Sequence, residues 1–202
     1  MADIRGVLLC AGASSRFGAP KLLAPIRHPA SGCEQQVAVL AARHLLEGCG
    51  NALAVVRPGD ADLGEALAAC GCEIVESARS RNGMGESLAD AIERARGADG
   101  WIVALGDMPF VSPRTVALVR AQLEIGALIA APVDASGRRG HPVGFGSTLR
   151  DELLRLRGDT GARLVISHHH EELVPVPVDD EGIFVDIDTP EALANAGTLR
   201  ER

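Results

Sequence analysis

The sequence predicts an α/β fold with a mostly parallel sheet. Short apolar runs typical of buried strands alternate with helical stretches of about a dozen residues, which is the pattern of βαβ units. The chain has 202 residues, 47% of them hydrophobic, so we expect one globular domain spanning residues 1–202. Aromatic residues make up only 2%, which leaves aliphatic side chains to fill the core.

The first half of the chain contains most of the regular pattern. A buried strand at 6–11 ends in a loop of small residues that extends to Pro20. The helix at 34–46 is expected to end at Gly48 and Gly50, because glycine commonly terminates helices. Strands follow at 52–56, 73–76 and 101–105, and the helices between them lie at 62–69 and 84–96.

The second half is less regular. Ser112 and Pro113 combine an N-cap residue with proline at the first helical position, so a helix is predicted from there to residue 123. Residues 142–146 resemble an antiparallel or edge strand, and Thr189-Pro190 opens a final helix. The remaining predicted elements are strands at 128–133, 173–178 and 182–186 and helices at 149–156 and 162–169.

Composition and charge exclude several kinds of partner. The chain carries 20 Lys and Arg against 27 Asp and Glu, a formal net charge of −7, so we expect no nucleic-acid partner. No apolar run reaches the length of about 18 residues that a membrane helix needs, so no membrane association is expected. Five scattered cysteines without a Cys-x-x-Cys pair, and a first segment unlike a signal peptide, favour a reduced, cytoplasmic protein.

The loop at 9–21 is the first candidate site. Its small residues let the backbone approach a ligand closely, and successive N–H groups can hold phosphate oxygens. Arg16 and Lys21 would add positive charge, and we expect the loop to be exposed. No carboxylate lies between Asp3 and Glu34, so this stretch is locally basic. The spacing matches neither a P-loop nor a GxGxxG motif, and a merely flexible, solvated loop is the alternative.

Acidic residues near strand ends are candidates for a metal site. Asp107 follows a buried strand, and Mg²⁺ commonly binds one or two carboxylates together with substrate phosphates. Asp186 and Asp188 are two residues apart on a predicted strand, so their side chains would share one face, and Asp186 is favoured as the ligand. The alternative for Asp107 is a turn or helix-capping role. The alternative for Asp188 is that it merely precedes Thr189, the cap of the next helix.

Five segments, in this order, resemble one family. The first loop reads AGxSxRxGxxK, and it is followed by GMGES at 83–87, LGDMPFV at 105–111, GHPV at 140–143 and DIDTPE at 186–191. These segments resemble the nucleotidyltransferases that activate sugars and small alcohols, and most closely the molybdenum-cofactor nucleotidyltransferases of the NTP-transferase family. The resemblance covers nearly the whole chain. It implies a three-layer Rossmann-like nucleotidyltransferase fold with a mostly parallel central sheet and a short antiparallel part.

The resemblance also implies roles for individual residues. Arg16, Lys21 and Asp107 would be catalytic. Asp107 and Asp186 would hold Mg²⁺, and His141 would lie on the acceptor-substrate side. The segment at 83–87 would reach the nucleotide base, with an ordinary helix start as the alternative. The residues implied to bind the nucleotide are Leu9, Cys10, Ala11, Gly12, Arg16, Lys21, Pro58, Gly83 and Ser87.

The activity implied by the resemblance is transfer of a nucleoside monophosphate from an NTP to a molybdopterin-type cofactor, with release of pyrophosphate. Cytidylyltransferases of the family read Ala-Ala-Gly where guanylyltransferases read Ala-Gly-Gly, so Cys10-Ala11-Gly12 favours CTP. A molybdenum hydroxylase is the expected protein partner. The alternatives are a GTP-using relative, a transferase for another sugar or alcohol phosphate, and a non-catalytic nucleotide-binding module that delivers the cofactor.

Overall fold

A computed structural model of the chain describes residues 2–12, 20–27 and 32–196. The strands within these ranges are β1 (Ile4–Leu9), β2 (Pro25–Arg27), β3 (Glu34–Gln36), β4 (Ala52–Val56), β5 (Glu73–Glu76), β6 (Gly100–Leu105), β7 (Ile129–Val133), β8 (Val143–Gly146) and β9 (Leu173–Pro177). The α-helices are α1 (Val37–Cys49), α2 (Ala61–Ala69), α3 (Met84–Arg94), α4 (Pro113–Glu124), α5 (Arg150–Leu154), α6 (Arg163–His168) and α7 (Pro190–Ala196).

The central sheet has seven strands in the order β5-β4-β1-β6-β8-β7-β9. β1 pairs in parallel with both β4 and β6, β4 pairs in parallel with β5, and β7 does so with β9. β8 is antiparallel to both of its neighbours. The predicted α/β fold with a mostly parallel sheet and a short antiparallel part is therefore confirmed, and β8 lies inside the sheet instead of at its edge.

Helices cover both faces of the sheet. α1, α2 and α4 bury apolar side chains against one face, and α3, α5 and α6 cover the other. Trp101 of β6 and Phe145 of β8 oppose each other across the strand pair and are fully buried. In an open sheet of this kind, ligands bind beyond the carboxyl ends of the strands. Among the described helices, none combines the length and apolar character needed to cross a bilayer.

The predicted helix at 34–46 differs from the structure at both ends. Its first residues form β3, which pairs antiparallel with β2, and α1 begins only at Val37. The helix also continues through Gly48 to Cys49. Gly48 serves close packing, because an added Cβ would lie 2.5 Å from the Pro113 carbonyl oxygen of α4. Gly50, with a φ of 86°, ends the helix as its left-handed cap.

The predicted strand at 182–186 is wrong. The chain forms a 3-10 turn at Glu181–Phe184 instead. The reason is local, because the Asp180 carboxylate accepts a hydrogen bond from the Gly182 N–H at 3.0 Å and caps the turn. The alternation of side chains along a strand therefore does not determine where Asp186 and Asp188 point.

Candidate active site

A charged cluster of Lys21, Asp107 and Asp188 lies at the carboxyl end of β6, and we call it the Lys21 cluster. Lys21 Nζ is 2.8 Å from Asp107 Oδ2 and 2.8 Å from Asp188 Oδ1. Lys21 begins a short 3-10 turn, Asp107 follows β6 and Asp188 precedes α7, so three segments distant in sequence meet here. Lys21 is only 9% exposed, which contradicts the expectation of an exposed loop at this position.

Lys21 is the only lysine in the chain, which otherwise uses arginine for its fixed positive charges. A compact ammonium can sit between two carboxylates, whereas a planar guanidinium prefers to fork onto one. Burial alone would lower the pKa of Lys21, but the hydrogen bonds and charges of Asp107 and Asp188 outweigh it and raise the pKa. The ammonium therefore remains protonated around neutral pH.

Asp186 lies close to the Lys21 cluster. Burial, followed by the negative charges of Asp188 and Asp107, raises the pKa of the Asp186 carboxyl. Two acids therefore pair with the ammonium and a third lies beside them, and the excess negative charge suits a cationic ligand. The structure places Asp188, and not Asp186, against Lys21. The choice of Asp186 as a metal ligand stays a prediction.

Contacts from two neighbouring elements hold the segment at 180–188 in place. Asp180 accepts hydrogen bonds from the Ser112 N–H at 2.9 Å and from the Thr115 hydroxyl at 2.5 Å. The Ile187 N–H donates to the Asp107 carbonyl at 2.8 Å. The acids on either side of Ile187 are thereby kept next to the end of β6.

Gly182 allows this segment to approach the connection between β6 and α4. A Cβ built on Gly182 would lie 2.0 Å from the Phe110 carbonyl oxygen. We expect Gly182→Ala to destabilise the protein by about 2 kcal/mol, within the usual cost of overpacking, and urea unfolding measures this loss. Gly97→Ala is the control, because nothing lies within 4 Å of its added Cβ. Equal losses in the two variants would contradict the packing role of Gly182.

The start of the glycine loop is fixed by the strands on either side of β1. The Cys10 N–H donates to the Val55 carbonyl at 2.9 Å, and the Gly106 N–H donates to the Leu9 carbonyl at 3.0 Å. Cys10 is buried, and burial is the main cause that raises the pKa of its thiol. Leu9 and Cys10 thus have the rigid backbone that a ligand site requires. Arg16 lies outside the described residues.

The next residues of the loop contact the turn that follows β4. Ala11 is buried, and its carbonyl accepts a hydrogen bond from Arg57 Nε at 2.9 Å. Gly12 is exposed, as is Pro58 in the turn. The predicted nucleotide-binding residues at 9–12 and Pro58 therefore lie on adjacent strand ends, joined by the Arg57 side chain.

The segment at 83–87 forms the start of α3. Gly83 has a φ of 125°, which favours glycine, and an added Cβ would lie 2.3 Å from the Gly158 carbonyl carbon. Ser87 is buried, and its hydroxyl lies 3.5 Å from the Gly83 carbonyl oxygen. Within the described ranges, no hydrogen bond or ion pair joins this segment to the Lys21 cluster. Its role in reading the base stays a prediction.

His141 lies near the acidic side of the cluster. Burial, followed by the charge of Arg139, lowers the pKa of His141, while the charge of Asp107 opposes this. The imidazole is half-buried, and its Nδ1 has no hydrogen-bond partner in the part of the chain that the structure describes. This unpartnered nitrogen is itself buried, so it does not face an open crevice. The acceptor-side position of His141 stays a prediction.

The donor atoms of the site can be compared with the needs of Mg²⁺. Asp107 and Asp188 offer hard carboxylate oxygens. No group of three or more His, Cys, Asp or Glu side chains in residues 2–12, 20–27 and 32–196 is arranged to hold a metal by itself. Mg²⁺ usually keeps several waters and binds through one or two carboxylates plus substrate phosphates. The residues present therefore fit a cation shared with nucleotide phosphates.

A parallel sheet with a glycine loop and a charged cluster at its carboxyl edge is the architecture of a nucleotide-binding α/β protein. Residues 6–173 match the MobA-like NTP transferase domain, and the chain belongs to this family. Bifunctional protein GlmU of a Bradyrhizobium species is 35% identical over 171 residues, covering 82% of this chain and 34% of the relative. The chain thus spans about a third of the length of this curated relative.

Solved structures with the same fold cover nearly the whole chain. Rv0371c from Mycobacterium tuberculosis is 26% identical, with a TM-score of 0.80 and coverage of 98% of this chain and 99% of that one. A manganese complex of Rv0371c matches with a TM-score of 0.75, 26% identity and coverage of 96% and 97%. A nucleotidyl transferase from Methanothermobacter, at 23% identity, TM-score 0.77 and coverage of 96% and 95%, shares the fold.

Two contacts in the site could not be read from the sequence. Lys21 and Asp188 are 167 residues apart, and Arg57 and Ala11 are 46 apart, so no local spacing connects them. The sequence did contain one usable signal, which is that Lys21 is the only lysine. The structural role of Asp180 left no comparable signal, because it stands in a run of several acids.

Proposed function

We propose that this protein transfers CMP from CTP to a molybdopterin-type cofactor and releases pyrophosphate. The observation that carries the proposal is the Lys21 cluster beside the glycine loop, in a chain of the MobA-like NTP transferase family. The acceptor and the base come from the sequence resemblance. We place the reaction in the cytoplasm and take a molybdenum hydroxylase as the protein that receives the product.

The reaction depends on positioning and charge neutralisation more than on covalent help from the protein. An oxygen of the acceptor phosphate attacks the α-phosphorus of CTP, the bond from that phosphorus to the β-phosphate oxygen breaks, and pyrophosphate leaves. Lys21 supplies a fixed positive charge, because two carboxylates hold its ammonium in place before substrate arrives. Backbone N–H groups of the glycine loop would bind phosphate oxygens.

Asp107 would hold Mg²⁺ together with the nucleotide phosphates, and Asp186 or Asp188 would be the second carboxylate. The bound ion would neutralise negative charge that develops on the leaving pyrophosphate. The manganese complex of Rv0371c, a protein 26% identical to this chain, supports the proposal that the site takes a divalent cation. Lys21 and the metal ion held by the acids would then both contact the phosphates of the substrate.

Nucleotide choice gives a first test. We expect CTP with Mg²⁺ to raise the melting temperature more than GTP does, because a ligand that binds only the native state stabilises it. At about 100 times Kd the gain is about 2.7 kcal/mol. The expectation rests on the Cys10-Ala11-Gly12 sequence. ATP and UTP at the same concentration are the controls, and an equal or larger shift with GTP would contradict the cytidylyl assignment.

Pyrophosphate release tests the activity itself. The protein is incubated with each of the four NTPs, Mg²⁺ and purified molybdenum cofactor, and pyrophosphate is measured. We expect release with CTP that requires the cofactor. The second candidate function is a transferase for another acceptor, and the similarity to GlmU favours testing it. Parallel reactions with a sugar phosphate and with an alcohol phosphate provide this test. CTP binding without release for any acceptor would favour a non-catalytic delivery module.

A further inference from the structure

The side chain of Arg57 makes a specific contact with the glycine loop that the proposed mechanism does not use. Arg57 follows β4 and is half-buried, and its Nε donates to the Ala11 carbonyl at 2.9 Å. The residues after Arg57 fold back, since the Asp60 N–H donates to the Arg57 carbonyl at 3.2 Å. The backbone at Arg57 is therefore fixed while its side chain extends toward β1.

The guanidinium has more donors than this contact satisfies. Arginine carries five N–H groups, and Nε accounts for one of them. In the described part of the chain, the two terminal nitrogens of Arg57 make no hydrogen bond, and no carboxylate lies within ion-pair distance of them. These unused donors on a cation are free to bind an anionic ligand, and arginine favours phosphate oxygens in particular.

Arg57 and Lys21 differ in whether nearby acids offset their positive charge. The Lys21 ammonium is already paired with Asp107 and Asp188, so these acids offset its charge in part before substrate binds. Arg57 has no such acid partner among the described residues, and it lies at the end of the strand next to β1. A planar guanidinium can donate two parallel hydrogen bonds to a phosphate, which a lysine cannot.

We propose that Arg57 is a positioning and binding residue for the nucleoside triphosphate. Its Nε fixes the Ala11 carbonyl, so that the backbone at 9–12 keeps one orientation, and its terminal nitrogens bind oxygens of the triphosphate. This inference deepens the proposed function, because it names a residue on the nucleotide side of that same crevice. It predicts binding of the polyphosphate itself, whatever the acceptor is.

The test measures binding by calorimetry, with CTP and separately with inorganic tripolyphosphate as the titrant. We expect Arg57→Ala to weaken tripolyphosphate binding by at least about tenfold, and CTP binding by a similar factor. Arg57→Lys keeps the charge and should recover part of the affinity, whereas Arg57→Gln keeps an N–H donor without the charge and should not. Arg43→Ala, an exposed arginine on α1, is the matched control and should bind as the wild type does.

The outcomes separate the contributions of the side chain. Wild-type tripolyphosphate affinity in Arg57→Ala, or no binding of tripolyphosphate to the wild-type protein, would overturn the inference. If Arg57→Gln bound tripolyphosphate as tightly as the wild type, only the contact with Ala11 would matter and the proposed phosphate contact would be overturned. A loss of affinity limited to CTP, with tripolyphosphate binding unchanged, would overturn it as well. Because no transfer is measured, Arg57-dependent binding together with a failed pyrophosphate assay would remove the proposed function and keep this inference.

Discussion

Asp107→Asn is expected to abolish most nucleotidyl transfer with little change in stability. Asparagine keeps the shape of the side chain, and Lys21 keeps Asp188 as a partner. The substitution removes the charge that would hold Mg²⁺ against the phosphates. Loss of one electrostatic contributor in an active site costs roughly 3 kcal/mol, or on the order of 10²-fold in rate. Initial rates of pyrophosphate release and the melting temperature are measured on the same preparation across a Mg²⁺ titration.

The control for this variant is Asp151→Asn, which changes the same charge at an exposed position on α5. It should leave the rate and the Mg²⁺ dependence unchanged. If Asp107 had only a structural role, the Asp107→Asn variant would show the opposite profile, with a lower melting temperature and nearly normal specific activity. That profile would contradict a catalytic role for Asp107.

Lys21→Arg is expected to be nearly as damaging as Lys21→Ala, although it keeps the positive charge. The ammonium lies 2.8 Å from carboxylates of two different segments, in a site where it is only 9% exposed. The longer, planar guanidinium cannot replace it without displacing one of the acids. We expect both variants to slow transfer on the order of 10²-fold, as for other lost electrostatic contacts, and both to weaken CTP binding. Calorimetry and initial rates measure the two effects.

Thermal unfolding gives a second readout for the Lys21 variants. Removing the ammonium in Lys21→Ala leaves two acids facing each other, so the melting temperature should fall as well. The loss should be small, because Asp107 and Asp188 keep 26% and 45% of their side-chain surface exposed to water. Wild-type transfer by Lys21→Arg would show that the charge alone is sufficient and would contradict the geometric role assigned to the lysine.

Much of the fold could be predicted because its signals are local. β4 and β5 begin and end where turn residues bound the apolar runs. α4 begins at its Ser112 cap, whose side chain accepts from the Arg114 N–H. The β2–β3 pair was missed because its strands have three residues each and their pairing joins separate segments. Gly48 was misread because its packing partner, α4, is distant in sequence.

The site was predictable residue by residue but not as an arrangement. Lys21 and Asp107 were both identified from the sequence, yet their contact depends on how β1 and β6 pair. The choice between Asp186 and Asp188 assumed a strand, and the 3-10 turn capped by Asp180 removed that assumption. Local sequence patterns can identify chemical groups, while the distances between them depend on the folded sheet.

The most direct test of the account is transfer of label from CTP carrying a radiolabelled α-phosphate, with wild-type protein, Asp107→Asn and Lys21→Arg assayed side by side. With Mg²⁺ and purified molybdenum cofactor, we predict that the wild-type protein forms a labelled acceptor in equal amount to the released pyrophosphate. Both variants should be at least about 10²-fold slower. Equal label transfer by wild type and variants would contradict the central claim that the Lys21 cluster is the catalytic site.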